Sequence, residues 1–120
     1  PARLQAELQA RLPKVGVSVV NAGIGGEIAQ DMLRRLDRDV IARRPSLVIW
    51  QTGVNDAIRD VGEDKVAALI KTGVARMRAA GSDVVLMDLQ WLPQPERYPR
   101  YAAYQAMLGR SAKDAGVALF

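Results

Sequence analysis

Two short loops carry the residues best suited to chemistry in this chain of 120 residues. The first, Asn21-Ala22-Gly23-Ile24-Gly25-Gly26-Glu27, is made sterically permissive by its glycines. The second, Gly53-Val54-Asn55-Asp56, offers an asparagine amide with two N–H donors, which a loop at a strand end can aim into a cleft to stabilise an oxyanion. Asn55-Asp56 supplies only one carboxylate, so a two-carboxylate glycosidase mechanism has no support from it. The chain contains no cysteine and no histidine. That excludes a thiol nucleophile, a disulfide framework, a Cys/His zinc site and a histidine general base, so no complete Ser-His-Asp triad is encoded in these residues.

The glycine loop invites a dinucleotide reading, since a strand precedes it and a helix follows. Its spacing is wrong: G-x-G-x-x-G needs glycine at position 28 after Gly23 and Gly25, and Ile28 stands there. A Walker loop fails too, because Gly-Lys-Ser/Thr occurs nowhere in the chain. A nucleotide- or phosphate-binding doubly wound domain, holding its anion on Gly23 to Gly26 at a helix N-terminus, stays open as an alternative. Glu27, directly after the glycines, argues against it by repelling an anion.

The elements that must position these loops follow from periodicity. Leu4, Leu8 and Leu12 mark an amphipathic helix stopped by Pro13, and residues 15–20 (Val-Gly-Val-Ser-Val-Val) read as a short buried strand. A helix is predicted from Glu27 to about Ala42, a second strand over Ser46 to Gln51, and a helix from about Glu63 to Ala80 capped by Gly81. Val84 to Leu89 makes a third strand. A Pro-rich loop leads to a helix from about Arg100 to Ala115, and Val117 to Phe120 opens a fourth strand. Strands alternating with helices predict an α/β fold, with a parallel sheet covered on both faces and ligands at the carboxyl ends of its strands.

Composition agrees with one folded unit: 49% of residues are hydrophobic and 25% charged, with no repeat, linker or low-complexity segment. The net charge of +4 rests on 17 Lys and Arg against 13 Asp and Glu. The arginine cluster at 34, 35, 38, 43 and 44 is interleaved with Asp31, Asp37 and Asp39 at helical spacings, the pattern of a solvated ion-paired face. No nucleic-acid partner is expected from it. No run reaches the ~18 apolar residues of a membrane span, and Pro1 to Arg11 does not look like a signal peptide.

Together the two loops resemble the second and third sequence blocks of the SGNH hydrolases, also called GDSL esterases or lipases. There a strand is followed by Asn-x-x-x-x-Gly, and a later strand by Gly-x-Asn-Asp. Asn21 and Gly26 match the former; Gly53, Asn55 and Asp56 match the latter, with Asn55 lying 29 residues after Gly26. The resemblance implies that the Gly26 N–H and the Asn55 side-chain amide are oxyanion-hole donors, and it extends over the chain from about Leu4 onward. The nucleophile block Gly-Asp-Ser and the Asp-x-x-His block are absent. Ser18, Ser46, Ser82 and Ser111 all lack the required context. The expectation is therefore residues 1–120 as the central part of a single three-layer, flavodoxin-like α/β domain, truncated at both ends and inactive alone. A noncatalytic carbohydrate-binding relative is a further alternative.

The resemblance further implies an ester or acyl-bond hydrolase acting on a small-molecule ester or an acylated carbohydrate or lipid, without metal or organic cofactor. It places a serine-bearing strand between residues 15–20 and 46–51, so these two strands are not expected to pair directly. Among the remaining residues, Trp50 reads as core, and Trp91, after the third strand, as either a substrate-pocket wall or simple packing. Asp88 reads as a structural hydrogen-bonding carboxylate, and Tyr98, Tyr101 and Tyr104 as helix packing.

Overall fold

The apolar runs at 47–51 and 83–87 have strand length and β-branched content, and both become central strands. In the computed structural model, which describes residues 1–120 apart from the side chain of Pro95, β1 (Leu47–Gln51) pairs in parallel with β2 (Asp83–Met87), and β2 with β3 (Ala118–Leu119). Leu47 stands opposite Asp83, and Val85 opposite Ala118. Two further bonds extend the β2–β3 ladder: Phe120 N–H to Leu86 O at 2.9 Å, and Asp88 N–H to Phe120 O at 2.7 Å.

Around the sheet lie α1 (Ala2–Arg11), α2 (Ala29–Asp39), the short α3 (Val54–Ile58), α4 (Glu63–Ala79) and α5 (Tyr101–Ala115). Trp50, Val84 and Leu86 face a core shared with Leu33, Val66, Ile70, Val74, Met77, Tyr104 and Leu108. The alternate residues, Ile49, Val85 and Met87, line a shallow groove on the other face together with Pro1, Leu4 and Phe120. Helix α1 thus represents the third layer of this α/β architecture, although none of its side chains is buried.

Trp50 is core, as expected, and the way it fits explains a glycine. A Cβ on Gly73, in the middle of α4, would lie 2.5 Å from the indole Cη2 and 3.0 Å from a Leu33 methyl. Only a bare Cα admits the ring at that point. The indole N–H donates to the Met32 sulfur at 3.2 Å.

Residues 15–20 correct the sequence reading: they form neither a strand nor a buried segment, with Val15 and Val20 more than half exposed. The reason is a missing neighbour. The Val17 N–H donates to Gln9 Oε1 at 3.0 Å and the Val19 N–H to Gln5 Oε1 at 2.7 Å, so two side chains one turn apart on α1 take the place of a ladder. As expected, no backbone hydrogen bond joins this segment to β1 among the described residues, and β1 pairs with β2 alone. Helix α2 is shorter than predicted at both ends. It starts at Ala29, where Ile28 is still extended and the Ile28 and Ala29 N–H groups are taken by the Asp31 and Asp56 carboxylates, and it gives way to a 3-10 turn at Ile41–Arg43 before Pro45.

Candidate active site

At the carboxyl end of β1, Gly53 adopts φ +101°, a conformation that suits glycine, and turns the chain into α3. Asn55 and Asp56 therefore sit on a helical turn rather than in the expected open loop. That turn grips the glycine loop residue by residue. Asn55 Nδ2 donates to the Glu27 carbonyl at 2.9 Å, Arg59 Nη2 donates to the Gly26 carbonyl at 2.8 Å, and the Ala29 N–H donates to the Asp56 carboxylate at 3.1 and 3.3 Å. Asn55 is thereby held against the backbone that follows Gly26.

What the grip leaves free defines the chemistry. An asparagine amide has two N–H donors, and one of those on Asn55 is committed to Glu27. Gly26 lies at φ +84°, and among the described residues its own N–H meets no acceptor. Two N–H groups near one loop, one from backbone and one from a side chain, are thus left without an acceptor among the described residues.

The far side of the loop is held by charge. Arg35 forks onto Glu27 with bonds of 2.6 to 3.0 Å, donates to the Ala22 carbonyl at 2.6 Å and reaches Asp39 at 3.3 Å. Both Arg35 and Glu27 are largely withdrawn from solvent, and the Glu27 contact raises the guanidinium pKa above its ordinary value. Asp39, bonded first to Arg38 and then to Arg35, is lowered to about 2. Asp56 goes the other way: it is fully buried, and burial raises its pKa although the Ala29 N–H opposes the shift.

These contacts also count against the anion-binding alternative. The Ala29 N–H, at the start of α2, is taken by Asp56, and the Ile28 N–H faces Asp31 at 3.4 Å. Two carboxylates already occupy the end where a phosphate would sit. Among the described residues, no cluster of carboxylates is arranged to hold a metal.

Asp88 plays the expected structural part, accepting from the Leu89 N–H at 2.7 Å. Tyr104 is buried and accepts from the Gly62 N–H at 2.8 Å, while Tyr101 donates to the Gln90 carbonyl at 2.6 Å and so ties down the start of the loop that carries Trp91. Trp91 itself is 79% exposed, which rules out simple packing. Arg59 was not singled out by the sequence, and Arg35 only as part of a solvated ion-paired cluster, whereas its side chain is largely withdrawn from solvent. The signal was present for Arg59, four residues after Asn55 and so on the same side of a helical turn, but only to a reader who placed a helix there.

A model of the non-GDSL lipase-like family matches residues 1–120. Among curated relatives, an acetylxylan esterase from Geobacillus stearothermophilus is 30% identical over 77% of this chain, and the esterase TesA from Pseudomonas aeruginosa is 33% identical over 95%. The chain spans about half the length of these relatives, 47% and 57% respectively. The solved structure of the Geobacillus stearothermophilus enzyme superposes with a TM-score of 0.85 at 25% identity, covering 98% of this chain and 60% of that one. Catalytic mutants of that enzyme have been solved with a serine, an aspartate and a histidine each replaced by alanine.

Proposed function

The chain belongs to the non-GDSL lipase-like family of SGNH-type hydrolases, and from that premise we propose that it supplies the oxyanion-hole half of an esterase active site. Residues 1–120 are then the central part of a single α/β domain, with the Gly26 N–H and the free Asn55 Nδ2–H as donors. The nucleophilic serine, and the histidine with its orienting aspartate, come from outside these residues, because the chain has no histidine and no Gly-Asp-Ser. The serine attacks the ester carbonyl and its proton passes to the histidine. The carbonyl oxygen becomes an oxyanion and is met by Gly26 and Asn55; collapse returns the proton to the departing alcohol.

The observation that carries this reading is the convergence of Asn55 on the Gly26-Glu27 backbone, with one amide N–H anchored and one left over. Anchoring matters because preorganised donors need no reorganisation as charge develops. The substrate class is an ester of a small molecule or of an acylated carbohydrate or lipid, supported by relatives named as acetylxylan esterase and esterase. Exposed Trp91 is the candidate for a wall of that substrate site.

Kinetics of Asn55→Ala in the intact enzyme test the proposal. Loss of one oxyanion donor should lower kcat by roughly 10²–10³, at nearly unchanged KM and with the fold preserved. Activity retained within a few-fold would defeat the assignment.

A further inference from the structure

Gly26 is the least self-determined residue of the site. It lies at φ +84° beside two other glycines, and glycine crosses between positive and negative φ at little cost. Such a crossing would swing the Gly26 N–H away from any oxyanion. Something outside the loop must hold this backbone still.

Two successive carbonyls, those of Gly26 and Glu27, are held by donors from the same turn of chain, Arg59 at 2.8 Å and Asn55 at 2.9 Å. Arg59 is itself fixed to that turn, since its backbone N–H donates to the Asn55 carbonyl at 3.0 Å. One guanidinium therefore links the two donors of the site: its backbone closes the turn bearing Asn55, and its side chain restrains the peptide that follows Gly26. The position a Gly26 side chain would occupy lies 3.9 Å from the same Arg59 nitrogen. Arg35 holds the other end of the loop, but it does so within a half-buried ion pair that also ties Glu27 to α2. Arg59 is exposed and makes no ion pair among the described residues. Its one side-chain hydrogen bond goes to the carbonyl of the residue assigned as oxyanion donor.

We propose that Arg59 is a positioning residue for the oxyanion hole, locking Gly26 in the conformation that presents its N–H. The inference rests on the esterase reading above. It assigns Arg59 no contact with substrate and no proton transfer. Its effect belongs in the transition state, where a misaimed donor is felt, and not in ground-state affinity.

The experiment compares Arg59→Met, Arg59→Lys and Asn55→Ala in the intact enzyme, using 4-nitrophenyl acetate, thermal unfolding and the backbone amide signal of Gly26. Arg59→Met should lower kcat about 10–100-fold with KM nearly unchanged and the melting temperature close to wild type. The Gly26 amide signal should broaden or split. Arg59→Lys, which keeps one donor, should recover part of kcat, and added guanidinium ion should raise the rate of Arg59→Met but not of wild type. Should Arg59→Met fail to fold, Arg59→Lys and the Gly26 signal carry the test, an intermediate kcat with a perturbed signal supporting the proposal. Wild-type kcat in either folded variant, or a change confined to KM, overturns the positioning role; if Asn55→Ala has lost its activity in the same series, the esterase reading stands. Full activity in Asn55→Ala removes the esterase reading and this proposal with it.

Discussion

The Asn55 amide nitrogen donates to the Glu27 carbonyl oxygen at 2.9 Å, across 28 residues of sequence. This single bond joins the turn after β1 to the loop ahead of α2, and makes one site of two motifs that are each unremarkable alone. It also halves the donor capacity of Asn55, so the remaining N–H has a defined direction.

The 120-residue polypeptide by itself should show no turnover of an activated acyl ester. It has no histidine and no serine in a Gly-Asp-Ser context, and oxyanion donors need a reacting group held beside them. Purified chain assayed over a range of concentrations checks this. Activity that scales with the chain and survives repurification would contradict it.

Stability should respond to pH in opposite senses through two aspartates. Burial raises the Asp56 pKa above its ordinary 3.8, so between that value and the raised one the folded state binds more protons than the unfolded. The Asp56 contribution to stability therefore falls as pH rises through that window. Asp39, lowered to about 2, contributes stability that is present above 3.8 and is lost as pH falls toward 2. Urea unfolding of wild type, Asp56→Asn and Asp39→Asn from pH 2 to 7 should show the wild-type advantage over Asp56→Asn shrinking with rising pH, and the advantage over Asp39→Asn shrinking with falling pH. Parallel curves would refute both.

Gly73→Ala should destabilise the protein although alanine favours helix. The new Cβ would meet the Trp50 ring at 2.5 Å. Overpacking costs ~1–3 kcal/mol against a helix-propensity gain of about 1, leaving a net loss of up to about 2 kcal/mol. A raised melting temperature would show that the indole yields freely.

Tyr104→Phe removes the acceptor of the Gly62 N–H while keeping the buried ring. A loss of about 1–2 kcal/mol is expected from the unpaired donor. Denaturant midpoints at constant m-value measure it, and an unchanged midpoint would mean that water takes the place of the phenol.

Much of this was legible in sequence where burial and spacing act locally. The apolar stripe through Val66, Ile70, Val74 and Met77 and the cap at Gly81 marked α4, and Gly116 at φ +65° ends α5 where alanine gives way to glycine. Gly26 and Asn55 stood out only as an ordered pair of motifs, each placed after a predicted strand and together resembling two blocks of one family. The failures lie where long-range partners decide. Val17 to Val20 has strand composition, but a strand exists only with a neighbour, and Gln5 and Gln9 supply side chains instead. Helix α3 spans five residues, too few for periodicity to declare it. Missing α3 hid Arg59, whose role follows only from being one turn beyond Asn55.

The central claim is that the Gly26 N–H and the Asn55 amide bind one oxyanion, and a structure of the intact enzyme inactivated by a phosphonate ester tests it most directly. The account predicts the phosphonyl oxygen within about 2.7–3.1 Å of both Gly26 N and Asn55 Nδ2, with the Glu27 and Arg59 contacts intact. A phosphonyl oxygen bound elsewhere, or Asn55 turned away from it, would contradict the account.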